Sequence, residues 1–140
     1  MDERGAALEM LRRLTCSQPY IVMMDRGYDG FNMIENCNRL KNCYYVIRTK
    51  TGQSGIKEIK NLPDKLCDDD VSCRITISNH YYTLHHKTEN LHLVWHPKRH
   101  YKKKFAKSTH DNRWDFEDFC NVKFRACKVR INDPDTNKEE

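Results

Sequence analysis

Residues 20–31 constrain the fold of this chain more than any other stretch. They read Tyr-Ile-Val-Met-Met-Asp-Arg-Gly-Tyr-Asp-Gly-Phe, an apolar run that ends abruptly in Asp25 and a glycine-containing turn. Short apolar runs bounded by turn signals are typical of strands buried on both faces of a parallel sheet. Ligands of open parallel sheets bind beyond the carboxyl ends of the strands. The run therefore predicts a buried strand over residues 20–25, with Asp25 at the edge of the sheet where ligands bind.

The segments on either side of this strand complete an α/β pattern. Apolar residues at helical spacing predict one helix over residues 3–14 and a second from residue 29 or 30 to Leu40. Residues 43–47 are rich in aromatic and β-branched side chains and predict another strand. A strand, a helix and a strand with short joints form a β-α-β unit, in which the two strands are parallel.

The chemistry of Asp25 allows two interpretations. Its carboxylate suits a divalent ion such as Mg²⁺, which takes one or two carboxylates and keeps several waters. Alternatively, the side chain caps a helix or pairs with Arg26 or Arg48.

The spacing of apolar residues along the chain changes after residue 51. A short helical turn is predicted between residues 56 and 66, before Pro63. Beyond it, apolar residues alternate with polar ones, which is typical of half-buried strands. We expect these strands to be mostly antiparallel and to form a β-rich subdomain on the α/β core. They cover residues 71–77, 81–85, 91–95 and 122–131, the last with a bulge.

Composition favours a cytoplasmic protein with no membrane partner. Apolar residues make up 38% of the 140 residues and charged residues 32%. No apolar run approaches the roughly 20 residues that span a bilayer, and the polar start is no signal peptide. The net charge is a modest +5, but the positive charges cluster.

Residues 98–107 hold six cations in ten positions, interleaved with His100, Tyr101 and Phe105. Such a basic patch suits a phosphate backbone, and its aromatic rings can stack on bases. We interpret it as a nucleic-acid contact; the alternative is a solvated loop. Trp95 is expected to fill the core, whereas Trp114 is a candidate for stacking on a base. The candidate DNA-binding residues in the patch are Lys98, Arg99, Lys102, Lys103 and Lys104.

Seven cysteines and seven histidines raise the question of metal binding. The odd cysteine count and the lack of a CxxC pair argue against a disulfide scaffold and favour reduced, mostly buried thiols. The histidines crowd into residues 80–110, but Cys67 and Cys73 stand apart from them in sequence. A small zinc-stabilised interaction protein is therefore the minor interpretation.

Two motifs carry a family resemblance. Ile-Val-Met-Met-Asp25-Arg-Gly-Tyr-Asp-Gly-Phe31, followed by a helix and Tyr-Tyr-Val-Ile-Arg48-Thr-Lys50, resembles the second-acid region of DDE transposases of bacterial insertion sequences. The similar subgroup has an RNase H-like core, as in retroviral integrases, with a β-rich insertion between its second and third acids. The resemblance implies a partial RNase H-like core over residues 1–51, an insertion over 52–133 and a polar tail over 134–140.

The resemblance also implies a function. The family cleaves and joins DNA ends with two metal ions held by Asp, Asp and Glu, which makes Asp25 the second catalytic and metal-binding acid. The implied cofactor is Mg²⁺ or Mn²⁺ in the full-length protein, and the implied partners are transposon ends and target DNA, bound by an oligomer at the bacterial nucleoid. Arg26 joins the basic patch among the candidate DNA-binding residues.

The chain departs from the family pattern in two places. No strand precedes residue 3 to carry the first Asp. Residues 113–117, Arg-Trp-Asp-Phe-Glu, imitate the helix of the third acid, but His110 replaces a Tyr and Lys123 lies one residue too early. We therefore expect an internal fragment that is inactive alone because two of three catalytic carboxylates are missing. The alternative function is a non-catalytic nucleic-acid-binding module that uses the basic patch.

Overall fold

The structure, a computed structural model, describes residues 3–49, 56–77, 91–94, 114–116 and 119–129. Its first part is the predicted α/β unit: α1 (Glu3–Arg13), β1 (Tyr20–Met24), α2 (Phe31–Arg39) and β2 (Cys43–Ile47). β1 and β2 are parallel and in register from Tyr20 opposite Cys43 to Met24 opposite Ile47. The predicted β-α-β unit is confirmed.

The two helices cover one face of this parallel pair. α2 buries Phe31, Met33, Ile34 and Cys37, and α1 adds Leu8 to the same layer. The apolar residues of α2 recur at helical spacing, so they form one stripe that packs against the strands. α2 ends where Leu40 adopts an extended conformation, and Asn42 then turns the chain at a φ of 60°.

The opposite face of the parallel pair is open, so the prediction of a strand buried on both faces is wrong. Side chains alternate between the faces, and β1 and β2 have the same alternating burial pattern. The outward side chains are apolar: Met23 is 83% exposed and Ile21 is 67% exposed. No described element packs over them. This open face comprises Ile21, Met23, Tyr44 and Val46.

The second part of the chain contains α3 (Lys57–Lys60), β3 (Cys67–Ile77), β4 (Leu91–Val94) and β5 (Phe119–Lys128). The helical turn before Pro63 is confirmed, and β3 begins before the predicted residue 71. β3 is the central strand, antiparallel to β5 and parallel to β4. The expectation of mostly antiparallel strands is thus wrong for β4.

One cluster of buried side chains joins the two parts. Phe31 and Ile34 of α2 pack with Ile56 and with Cys73, Ile75 and Val122 of the three-stranded sheet. Trp114 belongs to this cluster and is 0% exposed, so it cannot stack on a base as proposed from the sequence. The division at residues 51 and 52 stays a prediction, but side chains from both sides of it share this core.

Several predictions fall outside the described residues. They are the strand of residues 81–85, Trp95, the basic patch of residues 98–107, Ile131 and the polar tail. The predicted bulge in the last strand is wrong as far as Lys128, because β5 pairs with β3 without a break up to that residue. Among the helices that the structure describes, none is long and apolar enough to cross a membrane.

Candidate functional site

Asp25 follows the last residue of β1, at the carboxyl edge of the parallel pair. The Arg48 N–H donates to the Met24 carbonyl at 2.9 Å, which aligns the ends of the two strands at this edge. Asp25 and Arg26 are exposed. The chain turns directly afterwards: Tyr28 N–H donates to the Asp25 carbonyl at 3.3 Å, and Gly27 has a φ of 110°. L side chains rarely adopt this φ, so the turn needs a glycine.

The turn after Asp25 is held by the first residues of α1. The Tyr28 hydroxyl donates to Glu3 Oε1 at 2.7 Å, and Arg4 Nε donates to the Gly27 carbonyl. The hydrogen bond to Glu3, with a smaller contribution from burial, raises the pKa of Tyr28. These contacts position the backbone on which Asp25 is presented.

The structural alternatives for Asp25 are not observed. Gly30, not Asp25, is the N-cap of α2. The ion pairs found among the described residues do not include Asp25. The side chain is therefore an exposed carboxylate at the edge of a parallel sheet.

The residues around Asp25 do not by themselves fit a two-metal centre. Such a centre needs several carboxylates close together, and Asp25 belongs to no group of three or more potential metal ligands in the described part of the chain. Asp115, which lies within residues 113–117, the segment that imitates the third-acid motif, is hydrogen bonded to Asn32. Glu117, Lys98, Arg99, Lys102, Lys103 and Lys104 lie outside the described residues.

A second group of potential ligands lies elsewhere in the fold. Glu58 of α3, Cys73 of β3 and His92 of β4 offer three ligand atoms that all lie within 4.8 Å of one another. His92 Nε2 is 2.7 Å from Glu58 Oε1. The other carboxylate oxygen, Glu58 Oε2, is buried and has no hydrogen-bond partner among the described residues.

Strand pairing and helix position bring these three residues together. His92 lies opposite Ile75 in the parallel ladder of β3 and β4, and therefore on the face that also carries Cys73. The Phe31 ring packs against the His92 ring with centroids 4.6 Å apart. The alternation of apolar residues predicted that Leu91, Leu93 and Trp95 lie on the core face. It did not identify His92 as a candidate ligand, because alternation along a strand carries no information about which strand β4 pairs with.

Burial and charge shape the protonation of this group. Burial, followed by the negative charge of Glu58, raises the pKa of the Cys73 thiol to about 12. Burial also acts to raise the pKa of Glu58, but hydrogen bonds from His92 and from the backbone N–H of Glu58 itself bring it below the ordinary value. The Glu58 carboxylate is thus ionised at neutral pH beside a neutral thiol.

Comparison of the chain with protein-family models, with curated proteins and with solved structures gives no match. The assignment of function therefore rests on the sequence motifs and on the geometry described above.

Proposed function

We propose that this chain is part of the catalytic domain of a DDE transposase, which cleaves transposon ends and joins them to target DNA. The observation that carries the proposal is the exposed Asp25 at the carboxyl end of β1, within a parallel β-α-β unit preceded by a helix. The D-R-G-Y segment of this family occupies that strand–helix–strand setting.

The open face of the parallel pair supports the proposal. Ile21 and Met23 of β1 and Tyr44 and Val46 of β2 are large apolar side chains exposed on one continuous surface. A contiguous apolar surface of this kind usually binds another part of a protein. Parallel sheets of α/β proteins are covered on both faces, so the proposal expects a further layer of the longer protein over this surface.

The proposed chemistry requires acids that the described residues do not provide. In the two-metal scheme, two ions held by several carboxylates stabilise the attacking and leaving oxygens at phosphorus. Asp25 supplies one carboxylate, so the proposal assigns the Mg²⁺- or Mn²⁺-dependent activity to a longer protein and none to the isolated chain. DNA is the proposed partner, and Arg26, which is exposed beside Asp25, is a candidate for contact with a phosphate.

The sequence that flanks the chain in its gene provides the first test. The proposal expects an upstream strand that ends in Asp and a downstream helix with an Arg-x-x-x-Glu motif. A flanking sequence with neither motif would overturn the assignment of Asp25 as one of three catalytic acids.

The second test measures DNA cleavage and strand transfer by the longer protein on its own transposon ends, with Mg²⁺ or Mn²⁺. Asp25→Asn should abolish both reactions while DNA binding remains, because the change removes charge and little volume. Asp64→Asn is the matched control, since Asp64 is fully exposed and lies in the connection between α3 and β3, away from Asp25 in the sequence. Cleavage that survives Asp25→Asn would exclude a catalytic role and favour the non-catalytic nucleic-acid-binding module.

A further inference from the structure

We propose that Glu58, Cys73 and His92 form a binding site for one transition-metal ion of the zinc class. The ion takes Glu58 Oε, Cys73 Sγ and His92 Nε2 as three ligands and leaves a fourth position for water or an external ligand. This site is independent of the proposed DNA chemistry at Asp25, so either assignment stands or falls without the other.

The distances fit a tetrahedral ion after a small adjustment. Zinc binds sulfur at about 2.3 Å and nitrogen or oxygen at about 2.0–2.1 Å, so ligand atoms in a tetrahedral site are about 3.3–3.6 Å apart. All three ligand atoms here lie within 4.8 Å of one another. His92 Nε2 and Glu58 Oε1, now 2.7 Å apart, would separate by less than about 1 Å.

The types of ligand select the ion. A thiolate and an imidazole favour Zn²⁺, Co²⁺ and similar ions, whereas Mg²⁺ and Ca²⁺ require oxygen ligands. Three protein ligands with an open fourth position match the arrangement of zinc sites that bind water or substrate. A bound ion deprotonates a coordinating thiol outright, so the neutral thiol of the metal-free protein is no obstacle.

Two features of the surroundings point to a ligand. Glu58 Oε2 is buried without a hydrogen-bond partner among the described residues, which is costly for a carboxylate unless it binds something. The His92 ring is held by Phe31, which is itself buried, so the imidazole is oriented before an ion arrives. An ion among the three side chains would satisfy the carboxylate.

A bound ion would also stabilise two short elements of the fold, α3 and β4. α3 has four residues and β4 has four, and neither is long enough to be stable alone. Their ligands, Glu58 and His92, meet at Cys73 of the central strand β3. An ion that binds all three would stabilise the folded state, because the unfolded chain has no preformed site.

Cobalt provides the sharpest test on the full chain. Protein purified in chelator should bind one equivalent of Co²⁺ and develop a thiolate-to-cobalt charge-transfer band, and Zn²⁺ should displace the Co²⁺. Cys73→Ala should abolish the band, while Cys127→Ala, the removal of an exposed thiol, should leave it unchanged. Zn²⁺ should raise the Tm of the wild type and of Cys127→Ala, and Mg²⁺ should not.

Two further variants keep the test decisive if Cys73→Ala does not fold. Glu58→Gln and His92→Gln preserve volume and should each weaken Co²⁺ binding by more than about 100-fold, beyond the loss typical of residues outside the coordination shell. Folding of each variant is checked by circular dichroism. A wild type without a charge-transfer band, or a band that persists when Cys73 is removed, would show that the three residues form only a hydrogen-bonded group.

Discussion

Asn32 and Asp115 exchange two hydrogen bonds across the fold. Asn32 Nδ2 donates to Asp115 Oδ2 at 2.9 Å, and the Asp115 N–H donates to Asn32 Oδ1 at 2.9 Å. Arg12 of α1 donates to the same carboxylate at 3.1 Å. Asp115 thus joins α1 and α2 to the segment that carries Trp114, which is a structural role.

We expect Asp115→Ala to lower the free energy of unfolding by about 1–3 kcal/mol, because Asn32 Nδ2 loses its acceptor and Arg12 keeps only Asn36 Oδ1. Urea denaturation followed by circular dichroism measures the change. Asp69→Ala, an exposed position on β3, is the control and should change stability by less than about 0.5 kcal/mol. Equal effects of the two substitutions would contradict the structural role of Asp115.

The turn before β2 depends on the backbone conformation of Asn42. Its φ is 60°, and its side chain donates to the carbonyls of Cys16 and Ser17 at 3.3 and 3.1 Å. Asn42→Gly and Asn42→Ala both remove these hydrogen bonds, but only glycine adopts a positive φ without strain. We expect the glycine variant to be more stable than the alanine variant by about 1 kcal/mol in thermal denaturation. The reverse order would contradict the positive φ.

The buried thiol of Cys37 should be inert in the folded protein and should make stability decrease at high pH. It is 0% exposed, and burial raises its pKa from 9.0 to about 12. Between these values the unfolded chain loses the thiol proton and the folded chain keeps it, so the unfolded state is favoured as pH rises from 9 towards 12.

Iodoacetamide labelling with peptide mass spectrometry checks the behaviour of Cys37. Exposed Cys16 and Cys127 should react within the folded protein, and Cys37 should react only in denaturant. For stability, Cys37→Ala should have a flatter dependence of unfolding free energy on pH above 9 than the wild type. Rapid labelling of Cys37 in the folded chain would exclude the packing described.

Substitution on the open face should affect this chain and the proposed longer protein differently. Met23→Lys should change the stability of the chain by no more than about 0.5 kcal/mol, since Met23 is already 83% exposed. Met33→Ala, in the buried layer of α2, should cost about 2–5 kcal/mol and serves as the control. In the longer protein, where the open face is proposed to be covered, Met23→Lys should destabilise strongly. An unchanged Tm there would count against an RNase H-like layer over this face.

The basic patch should carry the sequence-independent part of DNA binding. Replacing Lys102, Lys103 and Lys104 by Gln should weaken duplex binding and lower the salt slope by about 0.9 for each phosphate contact that is lost. Fluorescence anisotropy at several salt concentrations measures both effects. The control replaces Lys41, Lys65 and Lys123, which are exposed and change the net charge equally. Equal losses in the two variants would show that only net charge matters.

Local patterns predicted the elements of the fold well. The helices and strands of the first part, the helical turn before Pro63 and the inward positions of Cys73, Ile75 and Val122 follow from spacing and residue type, which depend on neighbouring residues alone. The short joints around α2 also determined that β1 and β2 are parallel, because a helical crossover allows no other arrangement. Asp25 at the end of β1 follows from the same reasoning.

Contacts between residues that are distant in the sequence could not be predicted from local patterns. The pairing of β4 with β3, the burial of Trp114, the open face of the parallel pair and the meeting of Glu58, Cys73 and His92 all depend on which surfaces pack together. Alternation along a strand specifies that its two faces differ, but not which neighbour covers either face. The sequence alone therefore determined the strand that presents Asp25, whereas the candidate metal site arose only from tertiary packing, which places three separate elements within one ion's reach.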